Sequence, residues 1–180
     1  MIEQMRQTAF RTSSFVVDHM LGRLAKWLRS LGYDACYQQR YGFNELQTML
    51  QDGRHLLTRS QRRKKEFPLA IYLKSDRVGE QLLQLQEQGL FWPPAVPFSR
   101  CIRCNCALVK SDPFQVIGLI PEYVAQTNPF TIKHCPSCGR HYWPGTHRLN
   151  MERQLKAWGI KYLPALKESA APATDVSLTE

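Results

Sequence analysis

Two C-x-x-C pairs constrain this chain more than any other feature: Cys101 and Cys104 in CIRC, and Cys135 and Cys138 in CPSC. Thiolates two residues apart can grip one tetrahedral ion from a single tight knuckle. Two knuckles complete a four-sulfur shell with no open position, the arrangement of a structural zinc site rather than a catalytic one. Gly139 follows the second knuckle and supplies the backbone freedom its turn needs. The gap between the pairs exceeds the roughly 15–20 residues common for this pattern, so the ribbon must carry extra chain between its halves. Disulfides are the alternative, but a chain of this size with a reduced-compartment look favours metal. Cys36 is most simply a small buried hydrophobe, and Cys106 is a possible substitute ligand.

The remaining chain can build a core of its own, since 43% of its 180 residues are hydrophobic. The first fourteen residues are polar and read as a flexible extension, without the apolar run of a secretory signal. No stretch approaches the roughly 20 apolar residues of a membrane helix, so a cytoplasmic protein with no membrane partner is expected. The formal charge is +9, and the acidic tail makes the body more basic still. A body of that sign expects a polyanion, most commonly nucleic acid.

Residues 15–96 alternate between strand and helix patterns. Phe15–Val17 reads as a short buried strand, followed by Asp18 and a helix with Met20, Leu21, Leu24, Trp27, Leu28 and Leu31 on one face, stopped by Gly32. Tyr33–Tyr37 is a second strand, Phe43–Leu50 a second helix, His55–Thr58 a third strand, Leu69–Leu73 a fourth, and Val78–Gln88 a further helix. This order predicts a mostly parallel sheet with helices on both faces, an α/β fold whose site lies at the carboxyl ends of its strands. Asp18, Ser60 and Asp76 stand just past those ends, and Asn44 and Glu45 open the second helix toward the same side.

The proline-rich segment Phe91–Pro97 reads as a stiff connector. Residues 97–164 then form the zinc ribbon and a closing helix from His147 to about Trp158, capped by Thr146. Phe114–Tyr123, between the knuckles, reads as strand. Residues 165–180 lack a core pattern and read as a disordered tail.

Taken together, FVVDHMLGRLAKWLRSLGYDA, HLLTRS, the acid and glutamine of KSDRVGEQL, RCIRCNCAL and CPSCGRHYWPGTHRLNM resemble the Mut-seven C-terminal RNase family. That family joins a PIN-like nuclease domain to a C-terminal zinc ribbon, and the resemblance spans Phe15 to Leu155. It implies metal-dependent cleavage of RNA, with magnesium or manganese held by carboxylates from several strands. It implies Asp18, Glu45 and Asp76 as the catalytic acids. Two positions depart from the family pattern: the usual aspartates after Arg59 and before Glu45 are Ser60 and Asn44. Both keep an oxygen donor and lose a charge.

Local roles compete with these. Asp18 and Asp76 can be helix caps or loop acids, Ser60 and Asn44 are good N-cap residues, and Glu45 suits a first helical turn by the helix dipole. Arg62, Arg63, Lys64 and Lys65, with Arg54 and Arg59 near them in sequence, read as a phosphate-gripping rim beside the mouth or as a solvated loop. Arg100, Arg103, Arg140 and His141 could extend that track across the ribbon. Tyr142 and Trp143 could stack on bases, though packing on the knuckle is the simpler role. Two functions follow. One is a PIN-like ribonuclease with an altered acid set. The other is a binding module for RNA or a ribonucleoprotein that has lost catalysis.

Overall fold

A computed structural model describes residues 12–91, 94–116, 118–127 and 131–162. The expected N-terminal extension, apart from its last few residues, and the C-terminal tail lie outside the described residues. Among those residues no helix is long and apolar enough to cross a membrane.

Four parallel strands form the main sheet: β1 (Ser14–Val17), β2 (Asp34–Tyr37), β3 (His55–Thr58) and β4 (Ile71–Tyr72), in the order β2-β1-β3-β4. Alternation along these short strands feeds two cores. Phe15, Val17 and Leu57 face α1 (Gly22–Ser30) and α4 (Val78–Glu87), where they meet Leu24, Leu28, Leu82 and Leu85. Val16 and Leu56 face the other way, onto Leu46 of α2 (Phe43–Gln51) and Phe67 beyond α3 (Gln61–Glu66). A strand covered on both sides reads as continuous apolar sequence, and FVV and LL do so. The expected α/β sheet with helices on both faces is what forms.

Several local expectations are corrected. A short 3-10 turn, His19–Leu21, precedes α1, and Met20 points to solvent at 48% exposure. The fourth strand shrinks to Ile71–Tyr72 because Leu69 is 92% exposed and Ala70 closes a turn back to Phe67. Gly42, not Asn44, caps α2, and Gly145, not Thr146, caps the closing helix α6 (Thr146–Ala157).

The cysteine-bearing segment builds a three-stranded antiparallel sheet from β5 (Val109–Lys110), β6 (Lys133–His134) and β7 (His141–Tyr142). The expected strand over 114–123 is not there. Its described part is a run of turns leading into helix α5 (Glu122–Thr127), and Val116, Ile120 and Val124 are buried together with Ile132. Buried positions four apart are helical spacing, and the prolines at 113 and 121 oppose strand pairing.

The two parts are joined closely. Phe91 and Ala95 of the connector and Leu155 and Ile160 around the end of α6 all enter the α1/α4 core. The connector crosses Gly32 so tightly that a Cβ there would lie 2.1 Å from the Val96 carbonyl oxygen, and Gly32 has φ +92°. Only glycine suits that crossing.

Candidate functional site

Parallel strands put all their carboxyl ends on one edge, and chain order brings Asp18, Ser60 and the loop holding Asp76 to it. Asp18 is 3% exposed. Its backbone N–H continues the ladder to Leu57, and its Oδ2 accepts from the Thr58 hydroxyl at 2.6 Å. Its Oδ1 accepts from the His19 backbone N–H at 2.9 Å and lies 3.0 Å from His19 Nδ1. Burial alone would raise the Asp18 pKa, but the Thr58 and His19 hydrogen bonds outweigh it and hold the carboxyl below its ordinary value. Asp18 is thus a buried, ionised carboxylate at the mouth.

Thr58, which belongs to none of the expected site positions, organises this corner. It is fully buried, donates to Asp18 and accepts the Ser60 N–H at 3.0 Å. Its only sequence signal is a hydroxyl residue closing an otherwise apolar strand. Ser60 caps α3, its Oγ accepting the Arg63 N–H at 3.3 Å.

The lowered Asp18 pKa has a stability consequence. Its contribution is complete above the unfolded value of about 4 and is lost as pH falls through the lower folded value. Thr58→Val keeps the shape and removes the donor, so it is expected to cost about 1–3 kcal/mol at pH 7. The loss should shrink when the pH is lowered from 7 to below the folded Asp18 value, where the carboxyl takes up a proton. Urea denaturation at both pH values checks this. An equal loss at both would assign Thr58 a role other than holding the charged carboxylate.

Glu45 and Asp76 are placed differently. Glu45 is exposed, accepting from Gln38 Nε2 at 2.6 Å and from the Gly42 N–H at 3.2 Å. Its carboxylate staples the start of α2. Asn44 is exposed on the same turn, and Asp76 is exposed on the loop before α4. Among the described residues, the cysteine quartet is the one group of three or more possible metal ligands within mutual reach, and the three acids do not form another.

The basic residues divide in the same way. Arg54 sits before β3, at the opposite edge from Asp18, in a two-pronged ion pair with Asp34 at 2.9 and 3.1 Å. Arg63 holds Glu66 and the Tyr41 carbonyl, and Lys64 donates to the carbonyls of Pro68 and Ala70. Arg62 and Lys65 are exposed on α3, and Arg59 is half-buried directly after β3. Arg100 donates to the carbonyls of Gly32 and Asn105, whereas Arg103 and Arg140 are exposed.

The cysteines converge. The Sγ atoms of Cys101, Cys104, Cys135 and Cys138 all lie within 4.8 Å of one another, and Cys101 and Cys138 are 3.8 Å apart. A tetrahedral ion with metal–sulfur bonds of about 2.3 Å needs edges of about 3.8 Å, so the donor set fits one. The knuckles share a geometry. Asn105 and Gly139, each following its second cysteine, have φ of +67° and +69° and return an N–H to the Cys101 and Cys135 carbonyls. Asn105 therefore occupies the position that glycine fills in the second knuckle. Burial works to raise the Cys101 pKa, yet the Tyr142 hydroxyl at 3.0 Å and nearby backbone N–H groups pull it down to about 6. Cys101 is poised as a thiolate, and Tyr142 packs on the knuckle as a hydrogen-bond donor. Cys106 stands outside the quartet, its thiol directed at the Cys104 carbonyl.

The first knuckle also seals the parallel sheet. β2 is an edge strand, and Asn105 takes up its Ala35 N–H with Oδ1 at 3.0 Å while donating to Asp34 at 2.7 Å. Arg29 donates to the Ala35 carbonyl at 2.9 Å and to the knuckle carbonyls of Ile102 and Arg103 at 3.0 and 2.9 Å.

A family model described as the Mut7-C RNAse domain matches residues 13–155, covering both the parallel sheet and the cysteine quartet. No curated protein matches the chain, and no solved structure does.

Proposed function

Because the chain belongs to the Mut7-C RNAse domain family, we propose that it holds RNA at the carboxyl edge of its parallel sheet as a binding module whose nuclease site has lost its metal-holding charge. The observation that carries this reading is the state of the acids. Asp18 is ionised but has both oxygens engaged, and Glu45 is committed to the start of α2. The position after Arg59 is a serine occupied as a helix cap. A hard divalent ion is drawn by converging carboxylates, and one buried carboxylate with neutral neighbours attracts it weakly. The exposed cations Arg62 and Lys65 on α3, beside Arg59, supply the phosphate contacts. The cysteine quartet holds zinc, which closes the ribbon and takes no part in chemistry.

A second reading keeps the ribonuclease. The depressed pKa of Asp18 favours it, since a carboxylate kept charged at the mouth is the first ligand a catalytic magnesium or manganese ion would need.

Fluorescence anisotropy with labelled single-stranded RNA over a salt series, run beside a cleavage assay with magnesium and manganese, separates the two. The binding module predicts an association constant that falls steeply with salt, a slope reduced by Arg62→Ala with Lys65→Ala, and an RNA left intact. Metal-dependent cleavage abolished by Asp18→Asn would overturn it in favour of the enzyme.

A further inference from the structure

A cavity of about 920 Å³ lies beside the mouth, between the first turns of α1 and α4 and the end of α6. Arg23, Trp27, Asp76, Arg77, Gly79 and Trp158 are among its walls. The two indoles meet edge to face with centroids 4.8 Å apart. Trp158 lies directly on Gly79, where an added Cβ would come within 2.7 Å of its ring, so the backbone of α4 is bare at that point to admit it. The volume falls in the range of small-ligand sites.

Charge narrows the occupant. Arg23 and Arg77 are balanced by Asp76 and Glu80, and Arg77 reaches Glu80 at 3.4 Å. A lining with no net charge gains little from a bare phosphate. It does offer guanidinium donors, carboxylate acceptors and aromatic carbon together, which are the groups that recognise a flat, neutral heterocycle with donors and acceptors on its edge. Position narrows it further. Arg23 stands five residues beyond Asp18, and Asp76 lies on the loop that leaves β4 at the same edge. Arg59 directly follows β3 at that same edge, so the opening and this cation border one edge of the sheet.

We propose that the cavity receives an unstacked base of single-stranded RNA. Bases splayed from single strands are recognised by aromatic stacking and by hydrogen bonds to their edges. The proposal rests on the RNA-binding reading above and adds to it a base-holding pocket with its own residues.

The test compares a labelled RNA hexamer with a set of the same hexamers, each carrying one abasic site. Loss of a held base should weaken binding by about 5- to 150-fold at one position of the strand. Trp158→Ala should remove that positional difference. This variant also removes packing, so Arg23→Gln at an exposed position serves as a second variant, and it should reduce the difference with an unchanged melting temperature. A 4-thiouridine placed at the sensitive position should cross-link to peptides containing residues 23–27, 76–80 or 157–158. Equal binding by every abasic hexamer, or cross-links confined to other surfaces, would overturn the pocket while leaving salt-dependent RNA binding standing. Absence of binding to any hexamer would overturn the RNA reading and the pocket with it.

Discussion

Cys135→Ser is expected to abolish metal binding by the cysteine quartet and to unfold the cysteine module. Metal analysis should find about one equivalent of zinc in the wild-type protein and none in the variant. Limited proteolysis should cut between residues 100 and 142 in the variant alone. The size of the effect follows from how small an apolar cluster the described residues of this segment build for themselves. Its own apolar cluster is Val116, Ile120, Val124 and Ile132, with Trp143 against it, and its strands are two residues each. Structural zinc contributes about 10–16 kcal/mol in small modules of this kind, as much as the whole stability of an ordinary domain. Cys135 is fully buried, so a serine hydroxyl there meets no water and is a poor replacement for a thiolate. A chelator should reproduce the variant's cleavage pattern in the wild-type protein. Retention of one metal equivalent by Cys135→Ser, with unchanged protease resistance, would refute a four-sulfur site.

Arg29→Met should destabilise the protein by about 3–5 kcal/mol, because it leaves buried acceptors without a donor. Arg29 is 5% exposed, and burial lowers its pKa from the ordinary value, partly offset by the nearby cysteine sulfurs. It stays charged, since guanidinium is not deprotonated in proteins. Its hydrogen bonds reach β2 and both inner residues of the first knuckle, so one side chain ties the metal module to the sheet edge. For a chain of this length the melting temperature should fall on the order of 10 °C. Amide exchange at Ala35 should accelerate with it, because the Asn105 bond depends on the same knuckle position. Arg29→Lys should not fully rescue, since one ammonium nitrogen cannot occupy both the Nε position facing Ala35 and the Nη1 position facing Ile102 and Arg103. A loss under about 1 kcal/mol would show that the knuckle seats on β2 without this residue.

Much of the fold was legible in the residue order. FVV and HLLT are short apolar runs set between helical patterns, and they became central strands because each is buried on both faces. The segment 114–123 failed as a strand because its apolar residues are dense enough to satisfy either period. The burial of Val116, Ile120 and Val124 together is decided by the core they share. Glu45 shows the same limit at the candidate site. A first-turn glutamate can reach into a mouth or back to its own helix start, and its hydrogen bonds to Gln38 and Gly42 chose the second. Arg54 lies four residues before Thr58, and a four-residue strand carried it to the opposite edge.

By itself the sequence determined the paired cysteine knuckles, the parallel α/β sheet and the family, because cysteine spacing and hydrophobic period are properties of neighbours along the chain. Tertiary structure alone decided which acid is buried and held, which cations are committed to ion pairs and carbonyls, and how the first knuckle closes β2. Those outcomes depend on contacts such as Thr58 to Asp18, 40 residues apart, and Arg29 to Arg103, 74 apart. Hydrogen-bond energy acts over a few ångströms of space, and distance along the chain carries no record of which such pairs will meet.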